Sequence, residues 1–280
     1  MPTIQTARSF LFAPGNDERK LRNALSSGAD AVVADLEDAV TPAEKAAARS
    51  LAVRVLAEAD GDALRLVRVN AADSEWIADD VEAVRSVDLD GLVLPKATAA
   101  AVGSVQGLDL PVVAIVETPL GVRGAFELAT NPAVEALVLG AVDLGLALGL
   151  EPREDGLELL FARSSVVVDS AAAGLRGPID RVWTRLGDTA GLRHDCALAR
   201  SLGFRGKACI HPEQVPVVND AFSPSSEELA RARDVVRAFE EAAANGRGAV
   251  AFDGEMIDLP VVERARQLLA DAKRSVLYGD

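Results

Sequence analysis

Short apolar runs that end at polar residues recur along most of the chain. Most of them are rich in valine, isoleucine or leucine with little alternation, which is typical of strands buried on both faces of a parallel sheet. The runs are RSFLFAP (8–14), AVVADLED (31–38), ALRLVRVN (63–70), GLVLPKA (91–97), PVVAIVET (111–118), ALVLGAVD (136–143), PIDRVWT (178–184) and GKACIHP (206–212). The pattern therefore predicts eight buried strands.

Segments with helical spacing, rich in alanine, glutamate and arginine, separate these runs. Examples are residues 17–28, 42–59 and 189–203, and the last of these ends at Gly203, a suitable helix terminator. Eight strand–helix units over roughly 210 residues favour a (β/α)8 TIM barrel over an open doubly wound sheet. No nucleotide-binding glycine motif follows the first strand, which also disfavours a Rossmann fold.

The C-terminal part adds further elements after the eighth strand. SPSSEELARARDVVRAFEEAAANG (223–246) has the pattern of a capped amphipathic helix, a hairpin turn is expected at Asp253–Gly254, and another helix begins at residue 259. We therefore predict a barrel domain over 1–222 and a C-terminal helical lid extension over 223–280. The apolar face of this extension needs a covering surface, either its own barrel or a neighbouring subunit.

Polar residues stand at nearly every predicted strand end. They are Asp35, Glu37, Asp38, Arg68, Asn70, Lys96, Glu117, Asp143, Thr184 and His211. A (β/α)8 barrel brings the carboxyl ends of its strands onto one rim, where its chemistry collects. We therefore expect a polar ligand site, with the acidic group at 35–38 as one wall, although solvated loop or helix-capping roles are also open for these acids, Asp38 above all.

The residue types suit a hard divalent cation. Mg²⁺ usually takes one or two protein carboxylates directly, and Glu117 and Asp143 fit that role. Asp35 and Glu37 are expected to orient the waters of the metal, with Asp38 and Lys96 also nearby. Arg68 offers a planar fork for a substrate carboxylate.

Other chemistries lack the residues they need. The two histidines are His194, inside a predicted helix, and His211, expected to pack within a loop, so a zinc site is not predicted. No G-x-S-x-G motif occurs, and neither Cys196 nor Cys209 lies in a nucleophile setting. Covalent acyl transfer is therefore not expected.

Composition and charge restrict the cellular location and the partners that we expect. The chain has 280 residues, 49% of them hydrophobic, and no stretch approaches the roughly 18 consecutive apolar residues of a membrane-spanning helix. No signal peptide is visible and the two cysteines give no disulfide framework, so we expect a cytoplasmic protein without a membrane partner. The net charge of −14 disfavours nucleic acid as a partner.

Eight ordered blocks of the sequence resemble the citrate lyase beta-subunit-like proteins, close to malyl-CoA lyases, within the Mg²⁺-dependent aldolase group. The blocks are RSFLFAPGNDERKLRNAL, GADAVVADLEDAV, VRVN, GLVLPKA, VETPLGV, GAVDLGLALG, GFRGKACIHPEQV and FDGEMID. They cover nearly the whole length. The fold that this resemblance implies is again a (β/α)8 barrel.

The resemblance also implies roles for individual residues. Arg68 would bind the substrate carboxylate, Glu117 and Asp143 would ligate Mg²⁺, and Asp258 matches an acid/base aspartate that a neighbouring subunit supplies. A homo-oligomer, a trimer or hexamer, is therefore expected. One departure is Val142, where many relatives carry an acidic residue. Because adjacent strand residues point to opposite sides, this change need not remove a ligand, but it could alter the substrate.

The activity that the resemblance implies is reversible carbon–carbon cleavage of a 3-hydroxyacyl-CoA thioester. The malyl, citramalyl, citryl and 3-hydroxy-3-methylglutaryl skeletons all remain open. Three alternatives also stay open: a thioesterase acting on a malyl-CoA-like compound, the lyase subunit of a citrate lyase complex, and a non-catalytic scaffold.

Overall fold

Eight parallel strands close into a barrel in sequence order, as the sequence predicts. The computed structural model describes residues 2–277, with side chains as far as Ala272. The barrel strands are β1 (Ser9–Pro14), β2 (Ala31–Asp35), β3 (Leu64–Arg68), β4 (Gly91–Leu94), β5 (Val112–Val116), β6 (Val134–Leu139), β7 (Ile179–Asp180) and β8 (Gly206–Cys209). The pairing of β1 with β8 closes the barrel. The predicted fold class is confirmed.

Helices follow the strands and surround the barrel. They are α1 (Glu18–Leu25), α2 (Lys45–Ala57), α3 (Ile77–Val84), α4 (Ala99–Val102), α5 (Pro119–Arg123), α6 (Ala125–Ala129), α7 (Ala141–Leu148), α8 (Leu160–Ala172), α9 (Thr189–Leu202) and α10 (Gln214–Phe222). The predicted terminator Gly203 has a φ of +108°, in the region that favours glycine, directly after α9. The three helices predicted from spacing are therefore present.

Alternate residues of each strand face opposite sides of the barrel wall. Val33 and Leu66 belong to the cluster inside the barrel, whereas Val32 and Val67 pack in the larger cluster that includes helix residues. Burial on both faces explains why the strands are continuous apolar runs. The same alternation puts Asp35 and Arg68, the last residues of β2 and β3, in the inward-facing rows.

Strand β7 is shorter than the sequence predicts, since it ends at Asp180 rather than extending to residue 184. A buried ionic network lies at this point, between β7, β8, α8 and α9. Lys207 donates to Asp180 and Asp195 at 2.6 Å each, and Arg163 donates to the same two carboxylates at 2.7 and 2.9 Å. The side chains of Arg163, Asp180 and Lys207 are fully buried. The network therefore joins two strands and two helices. It was not predicted from the sequence.

The residues from Ser223 onward form a second compact unit. Helix α11 (Ser226–Ala244) begins with a capping box in which Ser225 and Glu228 bond each other's backbone. Strands β9 (Val250–Phe252) and β10 (Glu255–Ile257) form a hairpin, and helix α12 (Leu259–Leu277) follows. The two turn residues between the strands both have positive φ, 51° and 78°, as a type I′ turn requires.

Both cysteines are free and buried, in agreement with the absence of a disulfide framework. Burial raises the pKa of the Cys196 thiol to about 11 and that of Cys209 to about 12, so neither is a thiolate at neutral pH. Among the helices of residues 2–277, none combines the length and apolar character needed to cross a membrane.

Candidate active site

Residues 35–38, at the end of β2, form an acidic segment that is held in place by hydrogen bonds to backbone groups. The two carboxylate oxygens of Asp35 accept from the backbone N–H groups of Glu37 and Ala39 at 2.9 and 3.2 Å. Lys45, at the start of α2, donates its Nζ to the carbonyl oxygens of Leu36 and Glu37 at 2.6 and 2.7 Å. Asp35 and Glu37 are buried, whereas the side chain of Asp38 is 57% exposed.

Arg68 lies among these three carboxylates. Its Nε and Nη2 donate to the two oxygens of Asp35 at 2.7 and 2.6 Å, and its Nη1 donates to Asp38 at 3.2 Å. Burial alone would lower the pKa of Arg68, but the hydrogen bonds and charge of Asp35 raise it instead. The sequence expectation that Asp35 orients metal waters is thus not matched by its contacts, because its oxygens are occupied by Arg68 and by the backbone.

Glu37 contacts two cations but is incompletely satisfied. Its Oε1 accepts from Lys96 Nζ. Its Oε2 lies 3.0 Å from Arg68 Nη1, an ion-pair distance, yet it is buried and no donor of the described residues is aligned with it for a hydrogen bond. Burial is the main cause that raises the pKa of Glu37, and the charges of Arg68 and Lys96 oppose this rise.

Lys96 connects the acidic segment to Glu117. Its φ of 48° lies in the left-handed region, uncommon for a residue with a side chain. In this conformation its backbone N–H donates to Glu117 Oε1 at 2.7 Å while its Nζ contacts Glu37. Left-handed backbone strain often occurs at functional sites. Lys96 thus orients one carboxylate with its backbone and another with its side chain.

Glu117 is almost fully buried, directly after β5. Burial raises the pKa of its carboxyl to about 8, the Lys96 amide opposes this rise, and the carboxylates of Glu37 and Asp143 add to it. A Cβ on Gly140 would lie 2.5 Å from both Cβ and Oε2 of Glu117, so glycine is required there. Gly140 was not among the residues predicted for this site. A glycine directly after a strand is nevertheless a signal that another group lies close to the backbone there.

Asp143 lies at the start of a helix and not at the end of a strand, where the sequence pattern predicted it. It is not at a strand end, because β6 ends at Leu139 and Asp143 belongs to the first turn of α7. The expectation that Val142 faces the opposite side of a strand was wrong for the same reason. The side chain of Val142 is 62% exposed on the helix. Asp143 is near enough to Glu117 for its charge to raise the pKa of that group.

Three further residues expected at the rim have other surroundings. The side-chain amide of Asn70 donates to buried Asp80 at 2.6 Å. Thr184 is exposed, four residues beyond the end of β7. His211 accepts a hydrogen bond from the backbone N–H of Glu213 at 3.3 Å, and its side chain is 44% exposed. The rim site therefore consists of the acidic segment, Arg68, Lys96, Glu117 and Asp143.

Asp258 belongs to the second compact unit, between β10 and α12. Its side chain is partly exposed and accepts a long hydrogen bond of 3.5 Å from the N–H of Val261. Met256 and Leu259, on either side of Asp258, are 72% and 54% exposed. Among the described residues of this unit, the side chain of Asp258 therefore has this one long hydrogen bond.

The chemistry of the donor set suits a magnesium ion. In residues 2–277 no group of three or more histidine, cysteine, aspartate and glutamate side chains is arranged to hold a metal. Glu117 and Asp143 form a pair, and one or two carboxylates are what Mg²⁺ usually takes from a protein. Burial is the main cause that raises the pKa of Glu117, and Asp143 adds a smaller repulsion, so a cation between the two carboxylates would stabilise the charged form of Glu117.

A closed parallel barrel with carboxylates and an arginine at the carboxyl ends of its strands defines the class of TIM-barrel enzymes with an acidic site. A family model described as HpcH/HpaI aldolase/citrate lyase matches residues 8–212, and one described as a C-C bond lyase of the TIM-barrel fold matches residues 160–275. The chain belongs to the HpcH/HpaI aldolase/citrate lyase family.

Known relatives carry more than one activity. A (3S)-malyl-CoA thioesterase from Cereibacter sphaeroides is 40% identical, with 97% of this chain and 96% of that protein covered. The citrate lyase subunit beta of Escherichia coli is 36% identical, covering 97% and 95%. A crystal structure of CitE from Mycobacterium tuberculosis with magnesium, acetoacetate and coenzyme A matches with a TM-score of 0.85 and 34% identity, over 96% of this chain and 100% of that one.

Proposed function

We propose that this protein is a Mg²⁺-dependent carbon–carbon lyase that cleaves a 3-hydroxyacyl-CoA thioester of the malyl, citramalyl, citryl or 3-hydroxy-3-methylglutaryl type. Its products would be acetyl-CoA or a homologue and a keto acid. The observation that carries the proposal is the buried Glu117 beside Asp143, with a carboxyl pKa raised to about 8. Such a pair calls for a cation, and the CitE structure binds magnesium, acetoacetate and coenzyme A.

In this proposal Glu117 and Asp143 hold Mg²⁺. The bound ion supplies Lewis-acid polarisation of the hydroxyl that becomes the keto group. The backbone N–H of Lys96 keeps the Glu117 carboxylate oriented, since it donates to Oε1 at 2.7 Å. Gly140 leaves the space that this carboxylate needs.

Arg68 is assigned to the carboxylate of the acid portion. Its guanidinium is already fixed on one side by Asp35, which orients the fork before substrate arrives. A pre-oriented fork contributes positioning at little cost in side-chain entropy. At the other edge of the guanidinium, Nη1 of Arg68 donates to Asp38 at 3.2 Å.

Asp258 is assigned to proton transfer at carbon. As the hydroxyl gives its proton to water and becomes a carbonyl, the electrons of the broken carbon–carbon bond would pass to the thioester α-carbon. Asp258 would give that carbon a proton, and in the condensation direction it would remove one. Its one long hydrogen bond among the described residues of its own unit leaves it available for this role.

We further propose that a neighbouring copy supplies Asp258 within a homo-oligomer, a trimer or hexamer. Apolar side chains are exposed beside the metal pair, with Leu120 at 77%, Val142 at 62% and Leu146 at 82%. Exposed apolar residues beside a functional site are typical of surfaces that another chain covers. The exposed Met256 and Leu259 that flank Asp258 suit such a contact.

A thioesterase is the second candidate, favoured by the (3S)-malyl-CoA thioesterase that is similar over nearly the whole chain. The same metal pair and arginine would hold the substrate while water attacks the thioester carbonyl. The lyase subunit of a citrate lyase complex is a third candidate, favoured by the similarity to the Escherichia coli subunit. A non-catalytic scaffold would need neither the buried Glu117 nor the strained Lys96 backbone.

One screen separates these candidates. The purified protein is incubated with malyl-, citramalyl-, citryl- and 3-hydroxy-3-methylglutaryl-CoA, and with a citryl thioester of a carrier protein. Each incubation contains Mg²⁺ or EDTA, and the keto acid and the free thiol (CoA or carrier protein) are both measured. A lyase forms keto acid without free CoA, whereas a thioesterase forms free CoA without keto acid. Turnover only with a carrier-protein thioester would identify the complex subunit, and no turnover of any thioester would overturn the enzyme proposal.

A further inference from the structure

The guanidinium of Arg68 has two edges that can each receive a carboxylate. The inner edge, formed by Nε and Nη2, is taken by Asp35 at 2.7 and 2.6 Å, and the Asp35 side chain is only 5% exposed. The outer edge, formed by Nη1 and Nη2, receives Asp38 through a single hydrogen bond of 3.2 Å from Nη1. The two acidic partners therefore differ in geometry and in exposure.

The inner partner is fixed. Both oxygens of Asp35 accept backbone N–H groups of the same loop in addition to the guanidinium. Releasing Asp35 would leave a buried carboxylate and two amides without partners, which is costly. Any ligand of Arg68 must therefore approach along the outer edge.

The outer partner is replaceable. The side chain of Asp38 is 57% exposed, and within the described part of the chain Arg68 is its one hydrogen-bond and ion-pair partner. Only the Asp38 member of this pair is exposed, since the Arg68 side chain is 11% accessible, so water can solvate the released carboxylate while a ligand takes its place on Arg68. Asp38 can thus turn into solvent at small cost, in contrast to Asp35.

We infer that Asp38 is a specificity-determining residue: its carboxylate occupies the outer edge of Arg68 in the substrate-free protein, and the substrate carboxylate displaces it. The inference rests on the proposed function, in which Arg68 binds the acid portion of the substrate. A ligand with a carboxylate replaces both the hydrogen bond and the negative charge that Asp38 gives to Nη1, whereas a neutral ligand can replace only the hydrogen bond. Asp38 thereby makes the site discriminate in favour of an anionic acid portion.

The position of Glu37 makes this displacement necessary. Its Oε2 is buried 3.0 Å from Arg68 Nη1, and its Oε1 is held by Lys96, so Glu37 stays in place. An incoming carboxylate would meet both Glu37 and Asp38 at one nitrogen. Repulsion among three carboxylates at this distance favours the departure of the one that water can reach, which is Asp38.

The test uses Asp38→Asn, which keeps the size of the side chain and removes its charge. Binding of pyruvate and of its neutral amide is measured by calorimetry with saturating Mg²⁺. We expect Asp38→Asn to bind pyruvate about two- to fivefold more tightly, the range expected for loss of one exposed competing ion pair, with unchanged binding of the amide. The matched control is Asp73→Asn, at another exposed acid on the loop after β3, and it should leave both affinities unchanged.

Two outcomes would overturn the inference: unchanged or weaker pyruvate binding by Asp38→Asn, or an equal gain in Asp73→Asn, which would reflect net charge alone. Arg68→Lys separates this failure from failure of the proposed function. If Arg68→Lys binds pyruvate as the wild type does, the carboxylate-binding role of Arg68 is wrong. If it binds more weakly while Asp38→Asn shows no gain, only the role of Asp38 is wrong. In the double variant, the gain from Asp38→Asn should disappear, because the two residues are coupled.

Discussion

At the scale of single residues, Glu117 shows how surroundings change the chemistry of a side chain. A carboxyl group with an ordinary value of 4.5 has its pKa raised to about 8, mainly by burial. At neutral pH the protonated form of Glu117 is therefore favoured, and in the proposed metal site a bound cation would replace that proton. Burial also raises the pKa of Glu37, but there the positive charges of Arg68 and Lys96 oppose the rise.

The raised pKa of Glu117 predicts a pH dependence of stability. Because the folded state binds the proton more tightly than the unfolded state, this contribution is fully present below about pH 4.5 and is lost as the pH rises toward about 8. Glu117→Gln should remove it, so the variant should gain stability relative to the wild type across that range, by a few kcal/mol at most. Thermal melts in EDTA between pH 5 and 9 measure this. A constant difference between the two proteins would contradict the raised pKa.

The proposed assignment of Glu117 and Asp143 as Mg²⁺ ligands predicts the activities of three variants. Glu117→Ala and Asp143→Ala should each lower Mg²⁺-dependent activity by at least about a hundredfold, because each removes a direct ligand. Asp35→Asn should have a smaller effect on Mg²⁺ affinity, since Asp35 contacts Arg68 rather than the pair. Activity and Mg²⁺ affinity are both measured, with circular dichroism as the check on folding. Near-normal turnover by either alanine variant would show that the ligand assignment is wrong.

At the scale of elements, β7 and β8 depend on charges as well as on apolar packing. Strand β7 has two residues, and the buried network of Arg163, Asp180, Asp195 and Lys207 joins it to β8, α8 and α9. Buried ion pairs are sensitive to loss of one partner, because the other is left as an unpaired buried charge.

Lys207→Met should therefore destabilise the barrel by about 3–5 kcal/mol, because Asp180 and Asp195 both lose a donor at 2.6 Å. Urea unfolding measures this loss. The matched control is Lys20→Met, at an exposed lysine whose side chain is 54% accessible, and it should change stability by less than about 0.5 kcal/mol. Equal stabilities of the two variants would show that the network contributes nothing to the fold.

At the scale of the whole molecule, the proposed delivery of Asp258 by a neighbouring copy makes activity depend on assembly. Asp258→Asn and Glu117→Ala should each be nearly inactive alone. Mixed after dissociation and reassembly, they should recover part of the activity, because some interfaces pair an intact metal site with an intact aspartate. A fully active monomer would contradict the proposal, as would mixed oligomers without recovery when exchange is demonstrated by labelled subunits.

The architecture of the protein can be predicted from its amino-acid sequence. Eight apolar runs, the helical spacing between them, the stop at Gly203 and the turn at Asp253–Gly254 are local signals, because strand burial, helix termination and hairpin turns are governed by neighbouring residues. Several residues that meet at the rim could also be predicted, among them Arg68 and Glu117, since a barrel brings its strand ends to one rim.

The pairing of the charged residues at the site depends on the tertiary structure. A short apolar stretch such as GAVDLGLAL has no period that distinguishes strand from helix, so the place of Asp143 on α7 could not be read from it. The pairing of Arg68 with Asp35, the left-handed backbone of Lys96 and the network around Lys207 join residues far apart in sequence. Their geometry depends on three-dimensional distance and burial, which fix the partner and the pKa of each charged group and which no local pattern encodes.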